Sequence, residues 1–484
     1  MAGAYPITRI PVRGRIQCGA ISTIDTGGGM SEYVKFLESK KHLSGNFGFD
    51  PISIPDYLFD FQKYIVEWAL RKGRGAIFVD TGLGKTIIQL VIADNIVKKT
   101  NGKVLILTPL AVAFQFVKEA EKMGVNSVSY SKDGSKKTDI IVTNYERLDN
   151  FDSTDFQAVL LDESSILKNF DGAIKGKINV FMRQVKYRFL STATPSPNDF
   201  VELGTSSEAL GHMGYTDMLT KFFTNNEDTI KPQNIGTKWI LKGHAKDSFF
   251  QWVSSWSISM RKPSDLGFSD DRFVLPELIN NYHPVKNDSP LCVNGQTQMF
   301  NTIAKSLPEV REENKATIDN RCHKAYQLSQ QWPVSVYWCN FNRESELLSE
   351  LDPDAIELKG SMNIDKKEEI LLAFADGEIK KLITKPKMTS FGLNWQHCNH
   401  TVFFPTFSYE QYYQSIRRFW RFGQKREVTV DLVYSDGQKR VLDSLLAKSD
   451  KANGLFSKLN KTLHSEFTDN IKKFDQQITK PKFL

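Results

Sequence analysis

The chain has 484 residues, 40% of them hydrophobic and 25% charged, and its formal net charge is +7. This composition predicts a globular protein of two principal domains, and the apolar runs are shorter than the ~20 residues of a membrane-spanning helix, so no membrane partner is expected. The five cysteines never stand in a C-x-x-C spacing, which argues against a disulfide framework and a zinc site and predicts reduced thiols.

The leading segment, residues 1–44, contains arginines but no continuous apolar stretch. A secretory signal peptide needs such a stretch, so we interpret the segment as a flexible leader. The absence of an export signal and the reduced thiols together predict a cytoplasmic protein.

Residues 45–205 alternate short apolar runs with helical stretches. The runs GAIFV, VLILTP, DIIVTN, AVLLDE and RFLSTAT are rich in β-branched residues and end in small or polar ones. Strands that are apolar throughout are typical of a parallel sheet covered by helices on both faces, and such a sheet carries its functional loops at the carboxyl ends of its strands. We therefore predict an α/β lobe with a site at that edge.

The run VDTGLGKT, residues 79–86, ends the first of these strands and opens a helix. In that context a glycine turn and the positive end of the helix cradle phosphates, a lysine reaches the outer phosphates and a threonine hydroxyl ligates Mg²⁺. Val79 stands where the full pattern has Gly, so an ordinary glycine turn is the alternative. The predicted ATP-binding residues are Thr81, Gly82, Leu83, Gly84, Lys85 and Thr86, with Thr86 also on the metal.

Asp162 and Glu163 follow the apolar strand AVLL. A nucleotide hydrolase places one carboxylate at such a strand end to hold Mg²⁺ and a second to activate the attacking water. We predict Asp162 as metal ligand and Glu163 as catalytic base, with Lys85 as the third catalytic residue of this lobe. An acidic helix N-cap is the alternative, because carboxylates favour helix N-termini.

The segment at Ser191–Thr194 and the residue Gln62 are further candidates for a nucleotide site. Ser191, Thr192 and Thr194 close another strand, and hydroxyl groups there relay the state of the γ-phosphate through hydrogen bonds. Gln62 precedes the phosphate loop by one helix, and its amide is able to pair with both a donor and an acceptor on an adenine edge. Taken alone, the first segment is a polar turn and Gln62 is a surface glutamine.

Residues 206–331 differ in composition, being rich in Trp, Phe, Asn and Lys. We interpret them as a helical insertion that bridges two lobes. Trp252 and Trp256 stand four apart, on one helical face, which favours burial over stacking on a single-stranded nucleic acid.

Residues 332–450 form a second alternating block without a second phosphate loop, and residues 451–484 form a basic amphipathic tail whose lysines either touch phosphates or are simply solvated. In the block, Arg418 and Arg421 lie three apart on one predicted helical face. Permanently charged guanidinium groups suit a γ-phosphate reached from another lobe. A basic surface helix is the alternative, although Phe419 and Trp420 are interleaved with the arginines.

The order of these motifs resembles helicase superfamily two, and within it the Swi/Snf-like branch of DNA translocases. The series runs FDFQ, DTGLGKT, LILTPLAV, VTNYE, LDESSILKN, LSTATPSPND, KMTSFGLNW and QSIRRFWRFGQ. The closing signature QxxxRxxRxGQ matches at Gln414, Arg418, Arg421, Gly423 and Gln424. Ser165 replaces the histidine that is usual in the second carboxylate motif. The compact plan is similar to bacterial and phage members, which predicts the cytoplasm of a bacterium or of a phage-infected host cell.

The resemblance implies two RecA-like lobes with ATP and Mg²⁺ at their cleft and a nucleic-acid track across both lobes. It adds Gly392 and Asn394 to the ATP-binding residues and gives Gln62 the adenine. Arg418 and Arg421 complete the catalytic set when the lobes close. Gln414 joins Ser191, Thr192 and Thr194 as a coupling residue. The residues expected at the nucleic-acid backbone are Thr108, Pro109, Thr143, Asn144 and Ser390.

We therefore predict an ATP hydrolase that is stimulated by nucleic acid and steps along the DNA backbone without reading sequence. Duplex DNA is favoured as the partner, and a single strand or RNA stays open, as does a protein that loads the enzyme. A strand-separating DNA or RNA helicase shares every ATP motif and is the first alternative. A non-hydrolysing clamp that ATP binding switches is the second.

Overall fold

The computed structural model of the chain describes residues 47–109, 112–168, 173–196, 199–225, 239–286, 292–293, 296–297, 307–389, 394–406, 408–450, 454 and 456–459. The predicted leader, most of the predicted tail, Ser390 and Gly392 lie outside the described residues. Among the described helices, none is long and apolar enough to cross a membrane.

The first lobe is built on a sheet of seven parallel strands. The strands of this half of the chain are β1 Arg74–Val79, β2 Lys103–Thr108, β3 Val128–Tyr130, β4 Ile140–Asn144, β5 Phe156–Asp162, β6 Tyr187–Ser191, β7 Phe223–Asn225, β8 Trp239–Leu241 and β9 Ser257–Met260. The sheet has the order β3-β4-β2-β5-β6-β1-β9, and β7 and β8 form a separate antiparallel pair. All the carboxyl ends of the seven strands therefore meet at one edge.

Helices cover both faces of this sheet, which is why its strands are apolar throughout. They are α1 Asp60–Lys72, α2 Lys85–Thr100, α3 Ala113–Met123, α4 Ala173–Gln184, α5 Glu202–Leu210, α6 Tyr215–Phe222 and α7 Lys246–Trp256. Ile77 and Val79 of β1 pack in the core formed with α1, α2 and α3. Ala76 and Phe78 point the other way and pack in the core formed with α4 to α7. The alternation along one strand thus serves two cores.

The second lobe is built on a sheet of six parallel strands. The strands of this half are β10 Leu278–Val285, β11 Cys292–Val293, β12 Gln296–Thr297, β13 Ser335–Trp338, β14 Ala355–Glu357, β15 Lys381–Thr384, β16 His400–Phe403 and β17 Val428–Ser435. The sheet has the order β10-β17-β16-β13-β15-β14, and β11 pairs with β12. The helices are α8 Leu307–Ala316, α9 Ile318–Ser329, α10 Asn342–Leu351, α11 Ile364–Ala375, α12 Pro386–Thr389 and α13 Tyr409–Ile416, and residues 439–450 are also helical.

The predicted fold class, α/β with two RecA-like lobes, is confirmed by these two parallel sheets. The stretch 206–331, predicted as a helical insertion, contains helices but also supplies β9 to the first sheet and β10 to the second. The domain boundaries themselves stay a prediction. Trp252 and Trp256 of α7 are buried in the core of the first lobe, as their spacing predicts.

The end of the described chain returns to the first lobe. Phe456 is 3% exposed and Leu459 is fully buried, and both belong to the core formed with α4 to α7. The Arg261 guanidinium lies 4.3 Å from the centre of the Phe456 ring. The chain therefore passes from the first lobe to the second after β9 and comes back after residue 450.

Candidate active site between the lobes

The phosphate loop connects β1 to α2 and requires glycine at two positions. Gly82 has φ 86° and Gly84 has φ 82°, in the left-handed region that favours glycine. A Cβ at Gly84 would lie 2.3 Å from the Gln62 side-chain nitrogen, and one at Gly82 would lie 2.9 Å from the Phe422 backbone nitrogen. The loop is thus packed tightly between α1 and the second lobe.

The amino end of α2 faces the loop. Helix α2 begins at Lys85 and runs for 16 residues, so its first N–H groups and its dipole favour an anion there. The Lys85 ammonium donates to the Val79 carbonyl oxygen over 3.1 Å. The Lys85 ammonium is therefore held at the end of β1, where the phosphate loop begins.

Gln62 lies beneath the phosphate loop and holds it. The Gln62 Oε1 accepts from the Phe59 N–H over 3.0 Å, and its Nε2 donates to the Leu83 carbonyl oxygen over 3.1 Å. The side chain is buried. These bonds use one donor and one acceptor of the amide inside the chain, and the predicted contact with adenine stays a prediction.

The acidic pair lies at the end of β5, beside the phosphate loop. Gln89 Nε2 of α2 donates to Asp162 Oδ1 over 2.8 Å, and the Tyr145 hydroxyl donates to the Asp162 backbone carbonyl over 2.6 Å. Burial and the neighbouring Glu163 raise the pKa of Asp162 to about 7. A cation near Asp162 would lower this pKa again, because a positive charge stabilises the carboxylate form.

Glu163 adopts a left-handed backbone conformation that residues other than glycine rarely adopt. Its φ is 51°, and it is one of three non-glycine residues with positive φ in the described chain. Such a conformation costs of order 1–3 kcal/mol and persists only where the surroundings impose it. The Thr192 hydroxyl donates to Glu163 Oε2 over 3.1 Å, and the Thr194 N–H donates to Thr192 Oγ1 over 3.1 Å. The turn after β6 therefore fixes the carboxylate.

Ser191 and Gln414 contribute polar atoms on either side of this region. Ser191 pairs with Asp162 in the sheet register, and its hydroxyl is buried. Gln414, at the end of α13, lines the cavity described next. Both amide atoms of its side chain are buried and have no hydrogen-bond partner among the described residues. A buried polar group without a partner is costly, so this amide suits a polar ligand in the cleft.

A cavity of about 200 Å³ brings residues of the two lobes together. The predicted residues that line it are Thr81, Gly82, Gly84, Lys85, Thr86, Asp162, Glu163, Asn394, Gln414, Arg418 and Arg421. The first seven come from the first lobe and the last four from the second. Leu83 lies in the loop itself and is buried.

Arg418 and Arg421 reach this cavity from a turn and not from a helix. Helix α13 ends at Ile416 and the following residues form turns, so the prediction of one helical face is wrong. Burial and the charge of Arg421 lower the pKa of Arg418 to about 9. Burial lowers the pKa of Arg421 to about 10. An anion between the two guanidinium groups would relieve both effects.

Sequence reasoning missed several residues of this site. Gln89 contacts Asp162, and its position four residues after Lys85, on the same face of α2, was a usable signal. Glu119 of α3, Arg417 and Phe422 line the cavity. No local pattern pointed to them, because their place depends on how α3 and the turn after α13 pack against the phosphate loop.

The residues predicted at the nucleic-acid backbone lie at adjacent strand ends. Thr108 of β2 and Asn144 of β4 are register partners, and Thr143 precedes Asn144. All three are fully buried. The Thr143 hydroxyl donates to the Ser131 carbonyl over 2.8 Å, and Asn144 Oδ1 accepts from the Tyr130 hydroxyl over 2.6 Å. Pro109 is half-buried.

The side chains of Thr143 and Asn144 therefore hold the strand ends in place. Their assignment to the nucleic-acid track stays a prediction. The fifth predicted residue, Ser390, and the predicted ATP contact Gly392 lie outside the described residues.

Two family profiles match the chain. The SNF2-related domain matches residues 61–222, and the helicase conserved C-terminal domain matches residues 320–423. Each match falls on one of the lobes that meet at the cavity. The chain belongs to the Swi/Snf-like branch of helicase superfamily two. As a helicase-type enzyme of this branch it is an ATP hydrolase, and nucleic acid is its class of partner.

Curated relatives of this Swi/Snf-like helicase include a bacterial protein that aligns with most of the chain. The "Uncharacterized ATP-dependent helicase YqhH" of Bacillus subtilis (strain 168) is 24% identical over an alignment of 453 residues, which covers 83% of this chain and 80% of that protein. "DNA annealing helicase and endonuclease ZRANB3" of Mus musculus is 29% identical over an alignment of 180 residues, which covers 34% of this chain and 17% of that protein. The second match therefore concerns a small part of a longer protein.

A solved structure also aligns with the chain. It is the "Sulfolobus solfataricus SWI2/SNF2 ATPase core in complex with dsDNA", with 17% identity, covering 84% of this chain and 96% of that one, at a TM-score of 0.40. A TM-score this low does not establish a common fold, so the assignment of the fold rests on the two parallel sheets.

Proposed function

We propose that this Swi/Snf-like helicase is a translocase that steps along duplex DNA by hydrolysing ATP, without reading sequence and without separating the strands. One observation carries the proposal. The phosphate loop and the carboxylates belong to one lobe, the two buried arginines belong to the other, and a single cavity joins them. Hydrolysis then needs both lobes in contact, so each cycle of ATP binding and release drives a relative movement of the lobes.

The acidic pair and Thr86 fit Mg²⁺ as the metal. Asp162 supplies a buried carboxylate whose pKa burial and Glu163 raise to about 7, although Lys85 opposes this, and Thr86 supplies a hydroxyl oxygen in the same cavity. Among the described residues, no group of three or more His, Cys, Asp or Glu side chains is placed to hold a metal. A small number of protein ligands is enough for Mg²⁺, because waters and substrate phosphates fill the rest of its coordination shell. When bound, Mg²⁺ neutralises phosphate charge.

The chain's own residues divide the remaining work. Lys85 and the amino end of α2 bind the outer phosphates, and Gln62 keeps the loop in shape through Leu83. Glu163, fixed by Thr192, accepts the proton of the attacking water. Arg418 and Arg421 stabilise the negative charge that spreads over the transferred phosphoryl group.

Movement along DNA follows if the two lobes hold the backbone alternately. Contacts to phosphates made by main-chain N–H groups and short polar side chains carry no sequence information. Closing on ATP brings the lobes together, and hydrolysis releases them. If each lobe loosens its hold at a different point of the cycle, the pair advances in one direction.

The first test is steady-state ATP hydrolysis without nucleic acid, with blunt duplex DNA, with single-stranded DNA and with RNA, each at two salt concentrations. We expect stimulation by duplex DNA that weakens at higher salt, because phosphate contacts release counterions. Stimulation by a single strand or RNA alone would instead support a strand-separating helicase. ATP binding with no hydrolysis under any condition would support a clamp.

The second test measures movement itself, as ATP-dependent displacement of a third strand from a duplex that carries a triplex. The Glu163→Gln variant is expected to bind ATP but to lose about 10²–10⁴-fold in turnover, and with it displacement. The Lys85→Ala variant should lose ATP binding as well. Full stimulated turnover in either variant would contradict the assigned roles.

A strand-separating helicase would need an exposed aromatic side chain to act as a wedge between base pairs. Phe222 and Phe223, the aromatic residues suited by type to separating base pairs, are buried in the core of the first lobe. Trp239 is partly buried against the same core. Phe222 and Phe223 therefore present no exposed aromatic face of the kind that stacks on a base, and Trp239 presents only part of one.

A further inference from the structure

Arg417 links the second lobe directly to the phosphate loop of the first. Its Nε donates to Thr81 Oγ1 over 2.8 Å, and its Nη2 donates to the Thr81 carbonyl oxygen over 3.3 Å and to the Asp80 carboxylate. Its Nη1 donates to the Trp420 carbonyl oxygen over 3.1 Å. One guanidinium fork therefore holds two consecutive residues of the loop and the turn from which it projects.

The ion pair between Arg417 and Asp80 is buried. The side chain of Arg417 is 5% exposed and that of Asp80 is 8% exposed. Burial alone would raise the pKa of Asp80, but Arg417 and the Tyr413 hydroxyl, which donates to Asp80 Oδ1 over 2.5 Å, hold it below its usual value. Burial would lower the pKa of Arg417, and Asp80 more than offsets this. The bond is thus poorly screened by salt.

The link lies next to the groups that act on phosphate. Asp80 and Thr81 immediately precede Gly82, the first glycine of the loop, and Arg417 immediately precedes Arg418. The Phe422 backbone nitrogen also comes within 2.9 Å of a Cβ placed at Gly82. A slide of the second lobe that moved Arg418 and Arg421 away from the loop would therefore also have to break the Arg417 bonds.

We propose that Arg417 is a positioning residue for ATP hydrolysis, which clamps the second lobe to Asp80 and Thr81 and thereby sets where Arg418 and Arg421 stand relative to the phosphate loop. The proposal rests on the proposed function, because it assumes that the cavity hydrolyses ATP. Arg417 itself is not assigned a contact with the transferred phosphate.

A second ion pair between the lobes provides a matched control. Lys168, after β5, donates to the Glu410 carboxylate of α13, and their side chains are 26% and 5% exposed. Neither residue lines the cavity. Glu410→Gln removes a charge from an interlobe pair without touching the phosphate loop, so it separates loss of positioning from loss of interlobe attraction.

The experiment compares nucleic-acid-stimulated hydrolysis by the wild-type chain, Arg417→Ala, Arg417→Lys, Asp80→Asn, the double variant Asp80→Asn/Arg417→Ala and Glu410→Gln. A misplaced pair of arginines costs transition-state stabilisation, so we expect kcat of Arg417→Ala to fall about 10- to 100-fold while KM for ATP changes less than about threefold. Arg417→Lys should recover little, since an ammonium cannot form the fork. The double variant should be no worse than Arg417→Ala, and Glu410→Gln should stay near wild type.

Hydrogen exchange of the intact protein gives a readout that does not depend on turnover. In Arg417→Ala, peptides covering residues 80–86 and 417–424 should exchange faster, whereas in Glu410→Gln they should match wild type. Thermal unfolding of each variant checks that it is folded, and the milder Asp80→Asn keeps the test valid if Arg417→Ala is not.

Two results would overturn the proposal: wild-type kcat in Arg417→Ala, or a loss of kcat with unchanged exchange in both peptides. Absence of stimulated hydrolysis in the wild-type chain would instead refute the proposed function, and the exchange data would still report whether Arg417 holds the loop.

Discussion

At the residue scale, the space around Gly84 shows what the phosphate loop demands of its sequence. Gly84 combines a left-handed backbone with a neighbour at 2.3 Å from the place of a Cβ, the Gln62 side-chain nitrogen. Gly124, after α3, has φ 69° and nothing within 4 Å of that place. The two glycines therefore separate the cost of the backbone conformation from the cost of the collision.

We predict that Gly84→Ala displaces Gln62 from Leu83 and weakens ATP binding at least tenfold. Gly124→Ala should cost about 1 kcal/mol of stability, from the left-handed conformation alone, and leave ATP affinity unchanged. Titration with a fluorescent ATP analogue and urea unfolding measure the two quantities. Equal ATP affinity in the Gly84→Ala protein and the wild type would show that Gln62 does not hold the loop.

Single residues were predictable where local chemistry assigns them. A strand, a glycine turn and a Lys-Thr pair locate Lys85 and Thr86, and a carboxylate pair after a buried strand locates Asp162. Arg417 was not predictable, because its partners Asp80 and Thr81 are more than 330 positions away in the chain. Arg418 and Arg421 reach the expected cavity, although the helix on which they were placed ends before them.

At the element scale, β16 and β17 are joined by a buried polar network. Asp431 accepts from His400 Nε2, from His283 and from Asn281, each over 2.9 Å, and His400 Nδ1 lies 2.8 Å from the Ser335 hydroxyl. Burial would raise the pKa of Asp431, but these hydrogen bonds lower it to about 2. Burial lowers the pKa of His400, although Asp431 partly opposes this.

Both pKa shifts mean that the second lobe loses stability as the pH falls. The folded Asp431 binds fewer protons than the unfolded one, so its contribution is complete above the unfolded pKa of about 3.9 and is lost as the pH falls towards 2. His400 resists protonation in the folded state, so stability also falls as the pH drops below about 6.5.

We predict that Asp431→Asn lowers the free energy of unfolding at pH 7 by about 1–3 kcal/mol, because buried donors lose their carboxylate. The difference from wild type should persist down to about pH 4 and shrink below it. Urea unfolding across this pH range measures the effect, and Asp354→Asn, at an exposed position, serves as the control. A constant difference down to about pH 2.5 would contradict the network's role.

Elements were predictable in proportion to their apolar content. Strands β1, β2 and β5 contain continuous apolar runs (AIFV, VLIL and AVLL) that are buried on both faces of the sheet. All four edge strands of the two sheets, β3, β9, β10 and β14, were missed. Of these, β9, SISM, is short and alternates serine with apolar residues, and β10, LINNYHPV, is only half-buried along most of its length. Neither has a pattern that distinguishes it from a loop before its neighbouring strand is known.

At the scale of the whole molecule, the return of the chain to the first lobe makes the last described residues a component of its core. We predict that Phe456→Ala destabilises the first lobe by about 3–5 kcal/mol, the usual cost of removing a buried phenylalanine. Ser457→Ala, next to it but exposed, should change stability by less than about 0.5 kcal/mol. Urea unfolding and limited proteolysis measure this, and equal stability of the two variants would show that the returning segment does not support the core.

The two passages of the chain between the lobes also determine how the cleft is able to open. The first leaves the lobe after Phe273, which packs against the core of that lobe, and the second re-enters it at Phe456. Val274 of the first passage and Leu446 of the second line one cavity. Two connections that lie side by side act as a hinge between the lobes. They permit rotation about one edge, and they resist both drifting apart and twisting about a single strand of chain. When the cleft opens by such a rotation, the displacement of a residue grows with its distance from the hinge. A small rotation therefore moves the residues at the far side of the cleft the most.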